Sequence, residues 1–261
     1  MSAVDWSLIA FGVLGSLLAG LCTGAGALLI FVRSRWTQRS QVEMLAFAAG
    51  VMLAASIFSL LLPALEIVSP RAPSAFAALA EVAMGLVLGV LTIRAFNHWI
   101  PHEHFIKGPE GRATFHLGRN WLFILAIALH NVPEGMSVGV SFGGGLESGI
   151  PVMTGIGIQN LPEGLAVAAA LISDGFSRRR AFWIAMLTGL IEPLGGLAGA
   201  LAVIASDALL PWGLSFAGGA MLYVIVAEII PEIHRGRIER ATTFSMVLGF
   251  LVMMVLDISL G

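Results

Sequence analysis

Apolar residues along this chain fall into long runs separated by short polar breaks. Runs of spanning length cover 6–32, 42–65, 76–99, 120–142, 149–172, 181–205, 208–230 and 242–260. Each reaches the roughly 20 residues that an α-helix needs to cross the hydrocarbon of a bilayer. The pattern predicts an all-α integral membrane protein, a bundle of eight transmembrane helices whose fourth, fifth and sixth members carry internal prolines and are kinked there. The first run exceeds the apolar stretch of a removable leader and is expected to be a membrane helix. The longest break, about 100–119, is polar but too short to be a domain, so 1–261 is expected to be a single polytopic membrane domain.

Composition agrees with lipid as the main solvent. Hydrophobic residues make up 57% of the 261 and charged residues only 11%, where a soluble domain is roughly a quarter charged. The one cysteine, Cys22, lies inside an apolar run and permits no disulfide framework. The net charge of −2 says little, whereas the placement of basic residues says much. With the N-terminus outside, alternate breaks hold Arg33, Arg35 and Arg39, then Arg94, Lys107, Arg112 and Arg119, then Arg178, Arg179 and Arg180, then Arg235, Arg237 and Arg240. Only Arg71 falls on the other side. That asymmetry predicts these loops in the cytoplasm and both termini outside it.

The strongest local signal is a duplicated hexapeptide, His130-Asn131-Val132-Pro133-Glu134-Gly135 in the fourth run and Gln159-Asn160-Leu161-Pro162-Glu163-Gly164 in the fifth. Consecutive spans run antiparallel, so the copies are inverted, and paired interrupted segments of this kind mark a transporter's binding site. His130 and Glu134 are four residues apart, as are Gln159 and Glu163, which stacks each pair on one helical face. Asn131 and Asn160 sit on the adjoining edges. Pro133 and Pro162 lack an N–H and free the carbonyls of Leu129 and Ile158, and a freed carbonyl in lipid requires a polar partner.

Glu192-Pro193 in the sixth run repeats the theme, and Glu228 precedes Pro231-Glu232 in the seventh. Glu228 counts as a further candidate ligand. An ionised carboxylate at the bilayer midplane costs several kcal/mol unless compensated, yet no lysine or arginine lies near Glu134, Glu163, Glu192 or Glu228 at mid-span. Metal ions or protons must balance them, and two divalent ions would neutralise four carboxylates. Met52 could add a thioether, which with imidazole and carboxylate suits Zn²⁺ better than Ca²⁺ or Mg²⁺. Ligand type leaves Zn²⁺, Cd²⁺, Fe²⁺ and Mn²⁺ all open.

In these residues the chain resembles the ZIP (Zrt/Irt-like) family of divalent metal transporters, particularly its bacterial branch, over essentially its whole length. The resemblance implies uptake of Zn²⁺ through a binuclear midplane site. Met52, His130, Glu134, Gln159 and Glu163 would hold one ion; Asn131, Asn160 and Glu192 would hold a second, bridged by Glu134 and Glu163. Ser59, Glu66 and Asp257 match positions at the outer entrance, and His98, His102, His104 and His116 resemble a cytoplasmic metal-binding loop. The resemblance further implies a homodimer in a bacterial inner membrane. Some bacterial relatives have aspartate where this chain has Asn160, which lowers the charge of the second site, and some carry a polar residue where it has Ala227, beside Glu228.

Other functions fit less well. A zinc protease requires His-Glu-x-x-His, which is absent. A di-iron enzyme requires paired Glu-x-x-His, absent from mid-span. An organic-solute carrier would present basic or aromatic contacts where this chain has acids. The expectation is a non-enzyme whose partners are metal ions and the bilayer, with no nucleic acid involved.

Overall fold

A computed structural model describes residues 6–32, 37–99, 102–104, 108–110, 119–173, 175–235 and 240–260. The helices are α1 (Trp6–Val32), α2 (Arg39–Val68), α3 (Ala75–Trp99), α4 (Arg119–Gly143), α5 (Leu146–Ser173), α6 (Arg178–Ala205), α7 (Leu210–Ile229) and α8 (Arg240–Leu260). Among the described residues, all of these except α4 qualify by length and hydropathy as membrane spans; α4, whose 25 residues would also cross, completes the expected eight. Several helices overrun their apolar runs by a few residues. Thr37 and Ser177 explain two of the starts, each accepting a hydrogen bond from the backbone N–H three residues on, that of Ser40 and of Arg180.

The helices form two groups. In one, α1, α4, α5 and α6 pack on one another; in the other, α8 lies along α2 and α7 along α3, with α2 on α5 and α7 on α4 joining the groups. Glycine lets the backbones close up, as expected where packing rather than hydrophobicity drives helix association in lipid. The glycines that end the two hexapeptides are of this kind: a methyl group on Gly135 would sit 1.9 Å from the carbonyl oxygen of Glu192, and one on Gly164 would sit 1.9 Å from that of Thr23. Large apolar side chains such as Phe76, Phe244 and Ile258 are exposed on α3 and α8, where lipid would cover them.

Prolines shape the interiors in two ways. α4 and α5 continue helically through Pro133 and Pro162, while α6 is interrupted at Leu190–Ile191, just ahead of Glu192-Pro193. α2 and α7 each widen into a π-helical segment, Ala55–Leu61 and Ile225–Ile229. Each ends within two residues of a proline, Pro63 or Pro231, that cannot donate to the carbonyl four residues back. These segments carry Ser59 and Glu228. Between α3 and α4, the described residues include a short antiparallel hairpin pairing His102–His104 with Gly108–Glu110.

Candidate metal centre

The inverted hexapeptides lie inside the α1/α4/α5/α6 group, and the chain places their polar side chains in the interior. Asn131, Glu134, Gln159, Asn160 and Glu192 are at most 1% exposed and Glu163 is 8% exposed. Three hydrogen bonds tie the four helices together. Gln159 Nε2 of α5 donates to Glu134 Oε1 of α4. Asn160 Nδ2 of α5 donates to Glu192 Oε1 of α6 at 2.7 Å and to the Ala19 carbonyl of α1 at 2.8 Å. Glu134, Glu163 and Glu192 lie within electrostatic reach of one another.

These bonds leave much of the cluster unsatisfied. Among the described residues, buried side-chain atoms without a hydrogen-bond partner include Asn131 Oδ1 and Nδ2, Glu134 Oε2, Gln159 Oε1, Asn160 Oδ1 and Glu192 Oε2. Each such group costs about 1–3 kcal/mol when stranded away from water, and native interiors carry few of them. All but one of these atoms are oxygens, and two are carboxylate oxygens. A shared cation would satisfy several at once, with its charge offset by the glutamates. Among the described residues, no group of three or more His, Cys, Asp or Glu side chains is placed so that it could hold a metal ion by itself. Amides supply much of the donor set, and the side chain of His130 lies outside the described residues.

The other candidates take different places. Met52 is buried on α2, which packs on α5. Glu228 is buried in the π-helical segment of α7. Ser59 Oγ donates to Asp257 Oδ1 at 2.5 Å, joining α2 to α8, while Glu66 is exposed farther along α2. His98 is exposed near the end of α3. His102 and His104 belong to the hairpin, where only the backbone is described, and His116 lies outside the described residues.

The structure also adds α1, whose apolar sequence offers no chemical signal. Its Ala19 carbonyl anchors Asn160, and Thr23 is wholly buried with an unpartnered Oγ1. At the arginine-bearing end of the bundle, an open cavity of about 500 Å³ is bounded by Ser40, Glu43 and Phe47 of α2, Ile158 and Pro162 of α5 and Ser245 of α8. Its wall includes the residue whose carbonyl Pro162 frees, and Pro162 directly precedes Glu163.

Comparison with known proteins agrees with this architecture. The sequence pattern of the family described as ZIP zinc transporter matches residues 109–257. A zinc transporter of Myxococcus xanthus, GufA, is 48% identical over 255 residues, covering 96% of this chain and 99% of its own. The zinc transporter ZIPB of Bordetella bronchiseptica is 43% identical, over 97% of this chain and 82% of its own. The human zinc transporter ZIP11 is 34% identical, over 95% of this chain and 97% of its own.

Proposed function

The chain belongs to the ZIP family of zinc transporters, and from that premise we propose that it carries Zn²⁺ across a bacterial inner membrane into the cytoplasm through a two-cation midplane site. Glu134 and Glu163 would bridge the two positions. His130, Gln159 and Met52 complete the first, and Asn131, Asn160 and Glu192 complete the second. The observation that carries this reading is the cluster of unsatisfied buried oxygens on α4, α5 and α6, in a region without lysine or arginine to neutralise it. Structural glue would satisfy its own members, as buried networks do when they only hold helices together.

The same chemistry accommodates Cd²⁺, Fe²⁺ and Mn²⁺, since carboxylate, amide and imidazole donors do not select sharply among them. The basic residues support assigning the end that bears the open cavity to the cytoplasm, and inward movement is part of this reading. Purified protein in liposomes should move Zn²⁺ down its gradient. Equilibrium dialysis with metal analysis should then find about two ions per chain, one for each pair of carboxylates needing balance. Vesicles that load a small organic solute but no divalent metal would overturn the reading.

A further inference from the structure

Buried hydroxyls in this bundle have a habit from which Thr23 departs. Ser16, Ser56, Ser137, Thr188 and Ser215 each donate to a carbonyl three or four residues back in their own helix, at 2.7–2.8 Å, which is how a hydroxyl in a membrane helix normally satisfies itself. Thr23 Oγ1, at 0% exposure, has no partner. The carbonyl four residues back, on Ala19, is engaged by Asn160 Nδ2. Ser141 of α4 shares this unpartnered state, but it lies two helical turns beyond Glu134.

Thr23 is closely placed. Three residues before it, a methyl group on Gly20 would lie 3.3 Å from Glu192 Oε1. Its own side chain abuts Gly189, where an added methyl would be 2.8 Å from Thr23 Oγ1, and its carbonyl abuts Gly164, the residue after Glu163. Thr23 therefore lies against Gly189 of α6 and about one turn along α1 from Ala19 and Gly20, the residues that meet Asn160 and Glu192, on the side toward the arginine-bearing end. α5 brings Glu163 to the same level, and the interrupted segment of α6 closes the other side.

We propose that Thr23 Oγ1 is a further oxygen donor for the cation position of Asn160 and Glu192, supplied by the first helix. The proposal rests on the two-cation reading above. A neutral oxygen here raises the coordination of a position that has one full carboxylate of its own and an amide in Asn160. A packing role makes the opposite prediction about which atom matters: packing needs the methyl group and the volume, whereas donation needs only the oxygen.

The test uses the full chain in detergent, with Zn²⁺ binding read by equilibrium dialysis and thermal stability read alongside. Thr23→Val keeps shape and removes the oxygen; Thr23→Ser keeps the oxygen and removes the methyl. Wild type and Thr23→Ser are expected to bind two ions alike. Thr23→Val is expected to keep one ion and to bind the other on the order of 10-fold more weakly, as loss of a supporting donor at a metal site does. Its thermal stability should equal or exceed wild type, because an orphaned hydroxyl has been removed. If Thr23→Val does not fold, Thr23→Ala, which adds no bulk, is expected to show the same weakening. Two ions bound with wild-type affinity by the folded oxygen-free variant would overturn the proposal alone. So would equal losses in Thr23→Ser and Thr23→Val. A wild-type protein that binds no Zn²⁺ would sink the two-cation reading, and the proposal with it.

Discussion

A carboxylate felt by two ions and one felt by a single ion should fail differently when neutralised. Glu134 and Glu192 allow that comparison because each uses Oε1 as an acceptor, from Gln159 and from Asn160, while Oε2 has no partner. Glutamine at either position can keep the acceptor and lose only the charge. At about 4 Å and an effective dielectric of 20, one unit charge is worth roughly 4 kcal/mol toward another, enough to empty a site. Glu134→Gln is therefore expected to abolish Zn²⁺ flux in liposomes. Glu192→Gln should lower the flux or change its concentration dependence while leaving one ion bound. Metal stoichiometry on folded protein decides the matter. If Glu192→Gln loses both ions and Glu134→Gln retains both, the bridging assignment is wrong.

At the scale of helices, the close crossing of α4 and α6 depends on residues with no chemistry of their own. Gly135 and Gly195 face the opposite backbone, Gly135 at the Glu192 carbonyl and Gly195 at the Val132 carbonyl. Gly135→Ala would force the two helices apart at the level of Glu134 and Glu192. Overpacking of this kind costs about 1–3 kcal/mol, so a lower unfolding temperature in detergent is expected together with weaker Zn²⁺ binding. Unchanged values for both would show that α6 can shift without disturbing the cluster.

The same crossing explains what the sequence made legible. The eight helices follow from run length and hydropathy, because lipid leaves the backbone few alternatives. The polar faces of α4 and α5 follow from spacing within each motif. Which helix meets Gly135 or Gly164 is a property of the assembled bundle, and Thr23 in an apolar run gives no sign of its surroundings. The π-helical turns before Pro63 and Pro231 had a visible cause in those prolines, yet a proline permits a kink, a break or a bulge, and packing selects among them.

The whole molecule is asymmetric about its centre. At the arginine-bearing end, the open cavity reaches Pro162. Toward the other end, the hydroxyl of Ser59 is 6% exposed and bound to Asp257, which joins α2 to α8 across the level where the entrance is expected. Single cysteines in a Cys22→Ser background can read this asymmetry with a thiol reagent that does not cross membranes. Ser245→Cys, on the cavity wall, should label rapidly from the arginine-bearing side of sealed vesicles and slowly from the other. Glu66→Cys, at an exposed position, should show the reverse preference. Ser59→Cys should label slowly from both sides. Asp257→Ala removes the carboxylate that a donor at position 59 reaches, so labelling of Ser59→Cys should rise in the Asp257→Ala background, by less than the loss of a full hydroxyl–carboxylate bond would give, because a thiol is a weak donor. Equal labelling of Ser59→Cys and Glu66→Cys in the otherwise unaltered background would mean that the contact between α2 and α8 does not close that end of the path.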